Sequence, residues 1–552
     1  MKSNKKLTVN ESRRKFLKTS VIGGLAAASI SPLAFIKRDL PASFSIAEIQ
    51  PSEFEEITIG DLTEGIKSGK YTIRSIAEHY ISRINEIDKN GPAINSVIEL
   101  NPDALEMADA LDKEFKEKGP RGPLHGIPVL IKDNIDTADK MQTSAGSLVF
   151  GDSKPSKDAF LVRQLRKAGA LILGKTNLSE WANIRSTHST SGWSGRGGLT
   201  KNPYALDRNT SGSSSGSGAA VSSNLCSIAV GTETDGSVVS PSSINGIVGI
   251  KPTVGLVSRA GIIPISHSQD TAGPMARTVR DAAILLGAMA GADPEDPATR
   301  DKSRKAYGDY TQFLDANGIK GARIGVNRKY FGFHPEVDKV IENALQILRN
   351  NGAVLVDPAD VDTIGKFDDS EMTVMMYELK ADMKSYLEHR GPGTPVHSLK
   401  DLIDFNNKNE KAEMPYFEQE LFLKADERGP LTDKEYLDAL EKNHLLTRNE
   451  GIDAVIDKYN LDALVSPTDS PAWMTDLVDG DHFLGGSSSL AAVAGYPHIT
   501  VPAGFVFGLP IGISFYGRAW SEPVLLKITY GFEQATKARR MPEFLSSANL
   551  KI

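Results

Sequence analysis

From Gly126 onward the chain alternates short, continuous apolar runs with longer segments of helical periodicity, and this alternation limits the folds open to it. GIPVLIKD stays apolar until Lys132. DAFLVRQLRKAGA places its apolar residues three and four apart, and ALILGKTN is apolar again. A short run without polar alternation suits a strand buried on both faces. Strands separated by helices build an α/β sheet. The same pattern predicts strands at SIAVG, ARIGVN, GAVLVD, DALVSP, PHITVP and IGISFYG, with helices at PEVDKVIENALQILRNN and EPVLLKITYGFEQATKA. Residues 56–118 read as three helices. Residues 372–458, rich in Glu, Lys, Met and Tyr, read as wholly helical, a cap or an insertion.

The chain has 552 residues, of which 40% are hydrophobic and 24% charged, enough to bury a large core. No charge block or long Pro-rich segment divides it, so one domain over 50–552 is expected after a leader at 1–40. In the leader, Arg13 and Arg14 precede Phe16 and Leu17 and a modestly apolar run broken at Pro32. That is the pattern of a twin-arginine export signal, which predicts a periplasmic or secreted protein. The alternative is a membrane tether, because the apolar run from Thr19 to Ile36 is near the lower limit for spanning a bilayer. After processing, no stable membrane insertion is expected. Loss of residues 1–40 takes the net charge from -7 to -14, and an acidic body is a poor partner for nucleic acid. The only cysteine, Cys226, lies in apolar AAVSSNLCSIAV, so no intrachain disulfide can form and the thiol reads as structural.

Two serine-rich segments carry the candidate chemistry. TSGSSSGSGAA contains GxSxG at Gly212–Gly216, which would make Ser214 a nucleophile on a strand-to-helix elbow. The preceding NPYALDRNTS does not read as a strand, and the downstream histidines stand in no distinctive setting. Metal or nucleotide chemistry finds no support: no HExxH, one cysteine and no GxxxxGK[ST] loop, so no metal or cofactor is expected. Serine chemistry then needs another base, and a neutral lysine can serve. Working near pH 7 to 8 requires a depression of roughly 3 pKa units, about 4 kcal/mol, supplied mainly by burial. Lys132, at the end of IPVLI, is a candidate. On the local sequence it is equally a lysine emerging into solvent to pair with Asp133 or Asp136.

After SIAVG comes TETDGSVVSPSSINGIVGIKPT. Gly231, the last residue of SIAVG, and Gly236 bracket a turn whose backbone N–H groups can converge on an oxyanion, with Ser237 at its end. GIPVLIKDNIDT, GSSSGSGAAV and GTETDGSVVSPSSINGIVGIKPT together, in that order, resemble the motifs of the amidase signature family. The resemblance is dense from Gly126 to Arg277 and returns at PHITVPAG and LPIGISFYG. It implies a single α/β domain with a central mixed, mostly parallel sheet flanked by helices. It also implies a catalytic Ser-Ser-Lys relay with an acyl-enzyme. Carried over by motif, Lys132 is the base, Ser213 the bridging serine preceded by a cis peptide bond, and Ser237 the nucleophile. The backbone N–H groups of Thr234, Asp235, Gly236 and Ser237 would receive the oxyanion. This chain departs from the family where Asp235 replaces a frequent glycine, and at Ser211 and Ser215. A charge on Asp235 beside an oxyanion is unfavourable unless the side chain points away or meets a donor.

SEWANIRSTHSTSGWSGRGGLTKNPY and VGLVSRAGIIPISHSQDTAGPMAR further resemble the peptide amidases of that family, which remove the C-terminal carboxamide of peptides. On that basis Ser189, Thr190, Ser191 and Trp193 are expected to line the substrate channel, although Trp193 is equally a core residue. The alternatives are a broad-specificity amidase of small aliphatic or aryl amides, the ammonia-supplying component of a tRNA amidotransferase, or an exported binding protein with a dead site. Export and acidity disfavour the amidotransferase, and the presence of Lys132, Ser213 and Ser237 disfavours the dead site.

Overall fold

The computed structural model describes residues 49–391 and 393–550, so the leader expected at 1–40 lies outside the described residues. An eleven-stranded sheet runs through the molecule. In chain order the strands are β1 (Val97–Leu100), β2 (Pro128–Lys132), β3 (Leu171–Thr176), β4 (Trp193–Ser194), β5 (Gly198–Leu199), β6 (Ile228–Glu233), β7 (Val248–Lys251) and β8 (Thr271–Ala276). They continue with β9 (Arg323–Val326), β10 (Val354–Val356), β11 (Ala463–Pro467), β12 (His498–Val506) and β13 (Leu509–Tyr516). β4 and β5 form a separate ribbon, and the others are ordered β1-β3-β2-β6-β8-β7-β12-β13-β11-β9-β10. Every strand read from the sequence is present. β2, β3, β6 and β11 are buried along their whole length, as continuous apolar runs require.

The sheet is mixed, but the expected parallel majority is not found. Four of its ten neighbouring pairs are parallel, β2 with β3 and β6, and β9 with β10 and β11; six are antiparallel. Parallel pairing needs a long crossover, such as the Phe160–Lys167 helix between β2 and β3. β12 and β13 instead follow one another through a short turn after Val506. β8, β7, β12 and β13 stand between the two parallel groups, each joined to its neighbours by antiparallel pairing. The parallel group β3-β2-β6 positions the site. Its strands end together at Thr176, Lys132 and Glu233, and the carboxyl ends of parallel strands are where α/β sheets bind ligands.

The expected helical span is helical but interrupted. Helices Asp368–His389, Leu399–Lys408, Glu410–Glu413, Glu420–Asp426 and Lys434–His444 are separated by non-helical residues, and a π-helical turn at Leu445–Ile452 runs into Asp453–Tyr459. Met376, Leu379, Met383 and Phe422 of this span build a second apolar core with Phe150, Leu178 and Trp181. The Trp181 ring meets Phe422 edge-on at 5.7 Å. The span is therefore packed onto the chain that follows β3. Among the described residues no helix is long and apolar enough to cross a membrane.

Candidate active site

Lys132 is the last residue of β2 and is completely buried. Its Nζ lies 2.7 Å from Ser213 Oγ, 2.9 Å from Thr232 Oγ1 and 3.3 Å from the Thr232 carbonyl. Burial pushes its pKa down to about 7, against the opposing pull of Glu233 and Asp270. None of the three oxygens it contacts belongs to a carboxylate. A neutral amine has two N–H groups and one lone pair. With its N–H groups directed to the two Thr232 oxygens, the lone pair is left for the Ser213 hydroxyl. Thr232 Oγ1 is itself fixed by Asn134 Nδ2 at 3.0 Å. The solvent-facing alternative for Lys132 is thus excluded. Thr232 sits inside the GTETDGS motif, where nothing in the sequence distinguishes it from its neighbours.

Ser213 is buried, and its bond to Gly212 is cis. Its carbonyl accepts the Ser179 N–H at 3.1 Å. A Cβ on Gly212 would stand 2.1 Å from Ser179 Oγ, so only glycine fits at that approach. Ser211 holds φ +55, a conformation that suits glycine, and is kept there by Asn209 Oδ1, 2.6 Å from its N–H, and by Ser240 Oγ at 2.7 Å. Helix Ser215–Ser222 follows directly. Ser214, the GxSxG serine, is also buried. Its Oγ donates to the Thr232 carbonyl at 3.1 Å and accepts the Thr232 N–H at 3.2 Å, which ties the loop to β6.

Ser237 ends the turn that follows β6 and retains 8% exposure. Its carbonyl accepts the Ser214 N–H at 3.2 Å. Gly236, at φ +80, makes the turn possible. Beyond Ser237, the Val238 and Val239 N–H groups donate to Glu233 Oε2 at 2.8 and 3.0 Å and anchor helix Val239–Ile244. Among the described residues, none accepts a hydrogen bond from the N–H groups of Thr234, Asp235, Gly236 or Ser237. A turn of unspent donors between two anchored elements is an anion-binding nest. The Asp235 side chain meets a donor, Ser489 Oγ at 2.6 Å, and burial raises its pKa.

A cavity of about 630 Å³ opens beside Ser213, Thr232 and Thr234. The Arg259–Ile265 turn forms one wall and the Asp382–Arg390 end of helix Asp368–His389 another. Tyr386 donates to Asp136 at 2.8 Å, and burial pushes Asp136 up to about 7. His267, Glu378 and Asp382 lie close enough to share an ion. The imidazole already pairs with Asp382 at 2.9 Å and Glu378 at 3.2 Å, and Tyr436 donates to Glu378 at 2.8 Å. The expected contacts Ser189, Thr190, Ser191 and Trp193 do not line this cavity. All four are buried and committed elsewhere. Ser189 Oγ donates to the Ser186 carbonyl, Thr190 Oγ1 to the Asp476 carbonyl, and the Ser191 N–H to Asp481. Trp193 is a core residue, stacked edge-on against Tyr416 and Phe417.

This fold and motif set are those of the amidase family of hydrolases, and the chain belongs to it: the family model described as Amidase matches residues 75–526. A probable amidase of Arabidopsis thaliana is 41% identical over 501 residues, covering 89% of this chain and 92% of the relative. The crystal structure of native peptide amidase from Stenotrophomonas maltophilia superposes with a TM-score of 0.85 at 50% identity, covering 90% of this chain and 100% of that one. The structure of an amidase family protein from Bacillus anthracis superposes with a TM-score of 0.80 at 37% identity, covering 89% of this chain and 93% of that one.

Proposed function

We propose that this protein is a serine amidohydrolase that removes the C-terminal carboxamide of peptides, giving carboxylate and ammonia. The observation that carries the chemistry is the buried, uncharged contact of 2.7 Å between Lys132 Nζ and Ser213 Oγ. Ser237 Oγ attacks the amide carbon while its proton passes to Ser213 Oγ, and the Ser213 proton passes to Lys132 Nζ. The carbonyl oxygen gains the electron pair and is held by the N–H groups from Thr234 to Ser237. Collapse breaks the C–N bond. The relay returns a proton to the departing nitrogen, ammonia leaves, and an ester remains on Ser237. Water attacks that ester through the same relay and releases the acid.

The peptide specificity is supported by 50% identity to a solved peptide amidase over nearly the whole of that chain. A cavity of about 630 Å³ is large enough for more than a simple aliphatic amide. Helices 368–459 act as a cap, and the twin-arginine leader directs export. Ammonia release from a panel of peptide amides, amino-acid amides and aryl amides tests the reading. Peptide amides are expected to react fastest. Reaction of the small amides alone would establish a broad-specificity amidase instead.

A further inference from the structure

We propose that Glu371, in the first turn of helix Asp368–His389, and Asp235 hold one proton between their carboxyl groups, and that this pair, with Gln269, positions the oxyanion turn. The proposal rests on the reading of Thr234–Ser237 as that turn. Asp235 is the second residue of the turn. Its Oδ2 accepts from Ser489 Oγ at 2.6 Å, whereas its Oδ1 is buried and takes no hydrogen bond from any N–H or hydroxyl donor among the described residues. The Ser488 hydroxyl and the Glu371 carboxyl both lie against the Asp235 carboxyl. A buried acceptor facing a second carboxyl is satisfied when that carboxyl keeps its proton and donates it.

Gln269 closes the arrangement. It is buried, and its Nε2 donates to Glu371 Oε1 at 2.9 Å and reaches the Thr234 carbonyl at 3.4 Å. One amide thus spans from the helix to the first residue of the turn. Thr234 Oγ1 is held on its other side by Asp270 at 2.5 Å. The charged and titratable groups facing the pair are Lys251 of β7, Glu233 of β6, Asp368 on the same helix as Glu371, and the buried phenol of Tyr330. Two buried carboxyl groups in contact do not both ionise. Burial and the neighbouring Asp235 accordingly hold Glu371 well above the usual carboxylate range. Loss of the shared proton would place a second negative charge beside the nest where an alkoxide must develop.

The test compares wild type, Glu371→Gln and Glu371→Ala by kcat and KM against pH, and by infrared difference spectra at neutral pH. Glu371→Gln keeps a donor that cannot ionise. It is expected to retain kcat at neutral pH, to lose the alkaline decline of the wild type, and to lose a protonated-carboxyl C=O band. Glu371→Ala is expected to lower kcat about 10²-fold through misplacement of the turn, with KM unchanged. A wild-type kcat in Glu371→Ala, or no carboxyl band in the wild type minus Glu371→Gln spectrum, overturns the proposal. The spectrum is read whether or not an amide is hydrolysed, so failure of the amidase reading is seen separately.

Discussion

The Ser214 N–H donates to the Ser237 carbonyl at 3.2 Å, which fixes the loop carrying Ser213 to the turn that ends at Ser237. Ser214 therefore serves as a joint between two loops, and its hydroxyl is consumed by Thr232. Ser214→Ala removes the hydroxyl and leaves its backbone N–H bond in place. We expect a loss of about 1–3 kcal/mol in unfolding free energy, because the buried Thr232 N–H loses its acceptor, with turnover retained. Denaturant unfolding and ammonia release measure the two effects. Complete loss of turnover in a folded variant would restore the GxSxG reading.

Ser237→Ala is expected to abolish hydrolysis without altering the fold. Ser213→Ala should lower kcat by about 10²–10⁴ while leaving KM unchanged, since it breaks proton transfer and not substrate binding. Mass spectrometry of the wild type mixed with a slow ester substrate should find the acyl group on the peptide containing Ser237. An acyl group on Ser214 or Ser213 would contradict the assignment.

Lys132 must be neutral to accept a proton, and its pKa is lowered to about 7. The rate should fall about tenfold per pH unit below pH 7 and stay level above it only until the proton shared by Glu371 and Asp235 is lost, where the alkaline decline begins. The sign for stability is the same. A lysine whose folded pKa is depressed favours the folded state at high pH, and that advantage is lost as pH falls from about 10.5 to about 7. Lys132→Met removes this titration, so wild type should lose stability relative to Lys132→Met as pH falls across that window. Parallel pH–stability curves for the two proteins would show that Lys132 titrates normally.

Trp193→Ala tests the placement of the 188–194 segment. A buried ring packed on Tyr416 and Phe417 should cost about 3–5 kcal/mol in stability when truncated. Relative rates across the amide panel should be unchanged. A shift in substrate preference with little loss of stability would return Trp193 to the channel wall.

The strands legible in the sequence were those built from unbroken apolar runs, which in β2, β3, β6 and β11 report burial on both faces, although the edge strand β10 carries such a run with Val354 exposed. β8 was not legible: TAGPMA carries a glycine and a proline, and it is a strand only because β6 and β7 pair with it on either side. β1 and β7 are four residues each, too short for either period to register. The antiparallel majority was hidden for a related reason. Alternation of strands and helices reports connections, and a sheet can insert later strands between earlier ones. Lys132, Ser213 and Ser237 could be read as candidates because their motifs are local. Glu371 gave no signal, since its carboxyl acquires meaning only when helix Asp368–His389 folds back onto a turn more than a hundred residues earlier.

Burial is what fits Lys132 to act as a base, and that has a consequence for how the protein should fail. A single water admitted beside Nζ would stabilise the ammonium form and raise the pKa, silencing the amine while every strand remained paired. If mild heating or low denaturant lets water reach Nζ before the sheet separates, activity should be extinguished ahead of any spectroscopic sign of unfolding. In this enzyme the rate of hydrolysis is a hygrometer for the interior.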